Sequence, residues 1–314
     1  MSIGKILHIG LCATGEPYNG LQLAMIRNCI EYREINCDVA NINRVVIDTC
    51  YEFIPDIVFI QVQKGGVIHE ETLRCIKVTG AWICNWTGDV RSTIPKFYYD
   101  FAKYIDVTLF SNQTDVNTFR NSGLRSEYLE IGINESIYTP IGEKKEVKPI
   151  VFFGNNYGTG YFPMSQFRIQ MVEFMSSKFP SEFGVYGNGW KKSNGNFNSS
   201  QYDEAAAYRG SKIAINVSHF EYERYSSDRM LRILGSGPLC LAKWYPGIEQ
   251  DFFGGTYLRT WRTLQELKEL CEYYMKPENE IERLTIAEQG QKHCHAHFTF
   301  ENMIQNMIKI YNNK

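Results

Sequence analysis

Ser226-Ser227-Asp228-Arg229 carries the strongest hint of chemistry in this chain. Ser and Asp are good helix N-caps, and here they stand directly ahead of Met230, Leu231, Ile233 and Leu234, an apolar set at helical spacing. A cation in the first turn of a helix opposes the positive end of the helix dipole, so Arg229 calls for a reason. An anion shared by the free backbone N–H groups and the guanidinium supplies one; an exposed arginine paired with Asp228 or Glu223 is the plain alternative. Two glycine-containing stretches also end strand-like runs. Gly154-Asn155-Asn156-Tyr157-Gly158-Thr159-Gly160 follows residues 150–153, and Gly187-Asn188-Gly189-Trp190 follows residues 183–186. Such loops let backbone approach a ligand closely, or they simply turn the chain.

In the first half the corresponding feature is Asn85-Trp86-Thr87-Gly88-Asp89-Val90-Arg91, which places Asp89 just beyond an apolar run. A carboxylate there suits a general base, and equally a helix cap or a partner for Arg91. His8, Glu16 and His219 are weaker candidates, and His8, inside a strand-like run, reads as a packed residue. Lys292-His293-Cys294-His295-Ala296-His297 offers several metal-binding side chains, but these converge only in an extended chain. With no second ligand cluster at zinc-site spacing, no metal site is expected. A phosphate loop of the G-x-x-x-x-G-K-[ST] type, a G-x-G-x-x-G after a strand and a G-x-S-x-G elbow are all missing from the sequence.

The elements that must position these residues alternate. Strand-like runs occur at 6–11, 38–42, 57–62, 81–86, 107–111 and 128–133, and helical segments at 21–34, 69–78, 97–104 and 114–121. After a polar, charged stretch at 134–149 the pattern restarts, with strands at 150–153, 183–186, 213–217 and 239–241. Helices are expected at 164–178, before 239, and at 263–275, 279–292 and 300–312. Alternating strands and helices predict parallel sheets covered on both faces. The division expected is a first lobe over 1–140, a second over 141–300, and a C-terminal helix at 301–314 packing back on the first. That helix has an apolar stripe to bury, formed by Met303, Ile304, Met307, Ile308 and Tyr311.

Composition narrows the class of function. Hydrophobic residues make up 44% and charged residues 22%, enough to build full cores. Residues 1–140 hold 12 Lys and Arg against 16 Asp and Glu, and the remainder 21 against 19, so neither half has the basic excess that bulk nucleic-acid binding needs. No apolar run is long enough to span a bilayer and no signal-peptide pattern opens the chain. The 9 cysteines are scattered without a C-x-x-C pair, which suits reduced thiols and a cytoplasmic location.

Taken in order, several of these motifs resemble the C-terminal, nucleotide-sugar-binding lobe of GT-B glycosyltransferases, particularly the spore maturation protein CgeB-like group. Ile150-Val151-Phe152-Phe153-Gly154-Asn155 resembles the opening F-x-G strand, and Val185-Tyr186-Gly187-Asn188-Gly189-Trp190 the y-G-x-G-W strand end. Ser211-Lys212-Ile213-Ala214-Ile215-Asn216 with Asp228-Arg229 resembles S-K-I-x-L-N … R, and Gly235-Ser236-Gly237 the A-x-G that closes the helix. His297-Phe298-Thr299-Phe300 resembles a terminal H-T-y element, and residues 128–140 the interdomain passage. The likeness covers about residues 105–310 in motifs and the first 105 in architecture alone.

The resemblance implies two Rossmann-like, doubly wound parallel-sheet domains facing a cleft, and a metal-independent transfer of a sugar from a nucleotide-sugar donor, a UDP-sugar, to an acceptor. It implies no cofactor beyond that substrate. Donor-binding residues would be Gly154, Asn155, Gly187, Asn188, Trp190, Tyr225, Ser226, Ser227, Arg229 and Arg232, with Arg229 stabilising the leaving phosphate. Acceptor-side residues would be Gly15, Glu16, Trp86, Asp89 and Arg91, with Asp89 as base. Arg232 departs from the pattern: the family usually has a glutamate there for the ribose hydroxyls, and a guanidinium has no acceptor to offer them. Two rivals follow from the same fold, a non-hydrolysing nucleotide-sugar 2-epimerase and a binding protein without catalysis.

Overall fold

The computed structural model describes residues 3–10, 19–197, 200–252 and 255–313. They form two compact units, Met1–Gly132 with Phe300–Lys314, and Ile133–Thr299. The first unit contains β1 (Ile3–Gly10), α1 (Asn19–Asn28), β2 (Cys29–Asn36), α2 (Ile42–Phe53), β3 (Ile57–Ile60), α3 (Glu70–Val78), β4 (Trp82–Thr87), α4 (Lys96–Phe101), β5 (Val107–Phe110), α5 (Gln113–Asn121) and β6 (Ser126–Tyr128). The second contains β7 (Ile150–Phe153), α6 (Ser165–Lys178), β8 (Phe183–Tyr186), α7 (Gln201–Gly210), β9 (Ile213–Asn216), α8 (Asp228–Ser236), β10 (Leu239–Lys243), α9 (Ile248–Asp251), β11 (Arg259–Trp261), α10 (Leu264–Met275) and α11 (Glu280–His297). The last helix, α12 (Phe300–Asn312), belongs to the first unit.

Both sheets are parallel throughout and share one topology. The first runs β2-β1-β3-β4-β5-β6 and the second β8-β7-β9-β10-β11, so in each the second strand lies outside the first and the chain then crosses to the other side. Strands buried on both faces explain the continuous apolar runs of β3, β5, β7 and β9. In the first unit alternate residues feed opposite faces. Ile6, Ile57 and Phe59 pack with α1 and with Phe300, Met303, Ile304 and Met307 of α12, while Leu7, Val58 and Ile60 pack with Val46, Cys50 and Phe53 of α2.

Three expectations are corrected. The helix read over 21–34 stops at Asn28, and Cys29–Asn36 is instead the edge strand β2, paired with β1 from Ile3↔Cys29 to Gly10↔Asn36. Long-range pairing wins there over a local helical pattern whose apolar members, Leu23, Ile26 and Ile30, stay exposed. The strand read at 38–42 is a turn leading into α2, with Asn41 left-handed at φ 56°. Finally, the second unit begins at Ile133, ahead of the polar stretch read as a linker. Ile133 donates to the carbonyl of Phe298 and bridges Thr299, and Arg209 of α7 donates to the carbonyls of Ile137, Thr139 and Glu143.

Candidate functional site

In a doubly wound sheet the crevice outside the strands' C-terminal ends opens where the strand order reverses. In the second unit that point lies between β7 and β9. These strands pair only at Ile150↔Ile213 and Val151↔Ala214, whereas β7 stays paired with β8 to Phe153↔Tyr186 and β9 with β10 to Asn216↔Ala242. The chain leaves β7 at Gly154, and the Val217 carbonyl lies just past β9.

Two guanidinium groups meet there. Arg168, on α6, shares the helix's inward stripe with Ser165, Met171, Val172 and Met175 and is only 2% exposed. Arg229 is in the first turn of α8. Both lie over the face of Phe152, at 5.3 and 5.6 Å from its centroid. A side-chain carbon on Gly154 would come 2.7 Å from Nη2 of Arg168 and 3.0 Å from Nη2 of Arg229, so any side chain there would push the guanidinium groups from their places. Arg229 donates to the Val217 carbonyl at 3.2 Å and to Ser227 Oγ at 3.4 Å. Arg168 donates to the Asn155 carbonyl and to the ring of His219, while its Nε is buried with no partner.

Among the described residues neither arginine forms an ion pair. The pairing of Arg229 with Asp228 or Glu223 is therefore absent: Asp228 Oδ1 accepts the backbone N–H of Arg229, and its other oxygen pairs with Arg232. Burial and the Arg229 charge lower Arg168 to about 9, which leaves it charged at neutral pH. Burial, then Arg168 and Arg229, holds His219 down at about 3, so its ring is neutral and accepts from the guanidinium. Two like charges lie side by side with Asp228 near Arg229 but no acid in direct ion pair with either, the arrangement that an anion would complete.

The other expected donor residues fall into supporting roles. Gly187 lies against the Gly154 carbonyl with φ 141°, and Gly189 against the Asn156 carbonyl with φ 80°, so these glycines let two loops meet each other. Asn155 Oδ1 accepts the N–H of Asn188, and the Trp190 indole donates to the Gly154 carbonyl at 2.6 Å. Ser227 begins α8 without capping it; its hydroxyl donates to Asn216 Oδ1. Ser226 and Tyr225 are buried beside it.

Arg232 is locked in an ionic network. It pairs with Glu204 at 2.9 Å and Asp228 at 2.7 Å, lies over the ring of Tyr138, and Glu204 also accepts from the Tyr138 hydroxyl at 2.7 Å. Desolvation opposes its charge, but the two carboxylates outweigh this and raise its pKa. Its side chain braces α7, α8 and the Tyr138 segment.

In the first unit, Asp89 follows β4 with its side chain 65% exposed and Arg91 at 3.4 Å. Arg91 also donates to the Gln63 carbonyl. Trp86 is corrected as an acceptor-side residue: it is 3% exposed within the core, its indole donating to the Leu129 carbonyl. Gly15 and Glu16 lie outside the described residues. The His-rich run is helical within α11. His293 and His297, one helical turn apart, bring their rings to 4.8 Å, but His293 Nε2 meets the Asp251 carbonyl, His295 Nε2 the Tyr138 carbonyl, and Cys294 is buried, so the three imidazoles and the thiol do not converge on one point. No group of metal-binding side chains occurs among the described residues, and no helix there is long and apolar enough to cross a membrane.

Comparison with known proteins adds to this geometry. A family model described as "Glycosyl transferase-like" matches residues 168–309, beginning at Arg168 itself. No curated protein sequence matches the chain. Among solved structures, a glycosyltransferase from Rickettsia africae is similar with a TM-score of 0.70 at 12% identity, covering 100% of this chain and 99% of that one. Anabaena Alr3699/HepE in complex with UDP-glucose gives 0.64 at 12%, covering 99% and 100%. Sucrose-phosphate synthase from Thermosynechococcus elongatus gives 0.62 at 10%, covering 99% and 98%. The fold is GT-B.

Sequence reasoning missed Arg168. Its signal is available: a lone cation at the i+3 position of the stripe Ser165, Arg168, Met171, Val172, Met175, where every neighbour is uncharged. The His219 environment yields a prediction. The unfolded chain takes up this proton near pH 6.5, the folded one only near 3, so its contribution to stability is complete above 6.5 and declines as pH falls through that window. His8, held down at about 4 by burial, adds a slope of the same sign in the first unit. Urea unfolding at pH 7 and pH 4.5 should show a smaller acid loss for His219→Asn than for wild type; equal losses would mean that His219 is not held neutral.

Proposed function

We propose that this protein is a nucleotide-sugar-dependent glycosyltransferase of the CgeB-like kind, with the donor diphosphate held by Arg168 and Arg229 at the end of β7. The observation that carries the reading is the pair of guanidinium groups flanking Gly154, Arg168 buried and Arg229 partly so, with no ion pair to an acid among the described residues. Breaking the bond between an anomeric carbon and a diphosphate leaves negative charge on the departing phosphate. Two fixed cations in a desolvated pocket stabilise that charge as it develops, and they supply the neutralisation that a divalent metal supplies elsewhere. The likeness to a protein solved with UDP-glucose supports UDP as the nucleotide.

Arg232 is committed to Glu204 and Asp228 and is not assigned to the donor, so the ribose hydroxyls are left to other acceptors. On the first unit, Asp89 is the group we assign as base for the acceptor hydroxyl: it follows β4 and its carboxylate is exposed. The cysteines of the described residues are scattered and unpaired, which agrees with action in the cytoplasm.

Losing a charge-assisted hydrogen bond costs about 1.5–3 kcal/mol, so Arg229→Ala should weaken UDP binding in calorimetric titration roughly ten- to a hundredfold. Uridine binding should change far less; an unaltered UDP affinity would remove the phosphates from this site. With an acceptor present, Asp89→Asn should keep UDP affinity and lower turnover about a hundredfold or more. Full turnover would dismiss Asp89 as the base.

A further inference from the structure

The loop leaving β7 carries three aromatic side chains that the phosphate site does not use. Tyr157 and Tyr161 are 50% and 69% exposed, and their rings stack on one another at 5.6 Å and 21°. Neither hydroxyl makes a hydrogen bond among the described residues, so what these side chains present is ring surface. Phe162 backs both edge-on, at 5.5 and 4.7 Å, and lies 4.2 Å from the His219 ring. His219 in turn accepts from Arg168. The aromatic surface is therefore one side chain removed from the two guanidinium groups.

The loop is held in shape. Asn156 Oδ1 accepts the N–H of Gly158, Ser165 Oγ accepts that of Phe162, and Met164 donates to the His219 carbonyl. Gly158 and Gly160 take φ of 80° and 86°, turns that set the two tyrosines on one side. Exposed aromatic surface held rigidly beside a charged pocket is a ligand-contacting arrangement, because ordering costs have already been met in the free protein.

We propose that Tyr157 and Tyr161 form a stacking platform for the hexose ring of the donor. This rests on the glycosyltransferase reading above. The ring faces are electron-rich, and the C–H face of a pyranose presents the complementary partial positive charge together with apolar area. Proximity to the anion site selects the sugar over the base: the sugar is bonded directly to the diphosphate, while the base is separated from it by the ribose. The platform fixes the sugar's orientation at the anomeric carbon, which is where the bond must break.

The test is titration calorimetry of wild type, Tyr157→Ala/Tyr161→Ala and Tyr157→Phe/Tyr161→Phe with inorganic pyrophosphate, UDP and UDP-glucose. Both tyrosines are half-exposed or more, so the folded state survives, and equal far-ultraviolet circular dichroism checks it. The expected result is that wild type binds UDP-glucose more tightly than UDP, and that the double alanine variant loses that margin, about three- to tenfold per ring. Its affinities for pyrophosphate and UDP should be unchanged, and the double phenylalanine variant should keep the margin. A margin that survives both alanines, a wild type with no margin, or an equal fall for UDP and UDP-glucose would overturn the platform while leaving the donor site in place. A wild type that binds none of the three probes would overturn the donor reading, and the platform with it.

Discussion

Two arginines held side by side with no acid in direct ion pair are the constraint around which the second unit is arranged. Arg168 is almost fully buried and Arg229 partly so, and burial together with the Arg229 charge disfavours the charged form of Arg168. Coulomb repulsion at this separation works against the folded state, and desolvation adds to it. The fold compensates in part. Phe152 offers its ring face to both cations, the Val217 and Asn155 carbonyls accept from them, and His219 is held neutral so that it can accept as well. What remains uncompensated is positive charge, with the buried Nε of Arg168 still lacking a partner. A protein folded only for stability would place a carboxylate there. Glu204 and Asp228 are near in the chain's architecture, yet both are engaged by Arg232.

Arg232 has a clear physical job. It engages Asp228, whose carboxylate feels the charges of both Arg232 and Arg229, and with Glu204 and Tyr138 it ties three segments of the second unit together. The parallel sheet does the rest. Strand pairing between β7 and β9 ends after Val151↔Ala214, and beyond it Arg168 from α6 and Arg229 from the start of α8 meet over Phe152. Gly154 matters because any side chain at that point would fill the space between the guanidinium groups.

Much of this was legible in the sequence, and the reasons for the misses are specific. The second unit's strands are short apolar runs buried on both faces, so β7, β8 and β9 stand out against polar loops. Arg229 was visible because its position defies the helix dipole. Arg168 was not, because an arginine within a helix is ordinarily a solvated residue, and only its phase relative to Met171, Val172 and Met175 marks it as inward-facing. Trp86 lies near Asp89 in sequence but not at the surface: it is inside β4 and packs in the core, whereas Asp89 follows the strand's end and is exposed. The edge strand β2 was hidden because its exposed positions mimic the polar face of a helix. Glycines 187 and 189 were recognisable as special without revealing that the contact they permit is with a neighbouring loop.

The central claim is that the two guanidinium groups hold the donor's diphosphate, and a crystal structure of the protein with UDP-glucose tests it most directly. The account predicts phosphate oxygens within about 3 Å of guanidinium nitrogens of both Arg168 and Arg229, against the open face of Gly154. A nucleotide bound with its phosphates away from this pair, and the two arginines still without an anion, would contradict it.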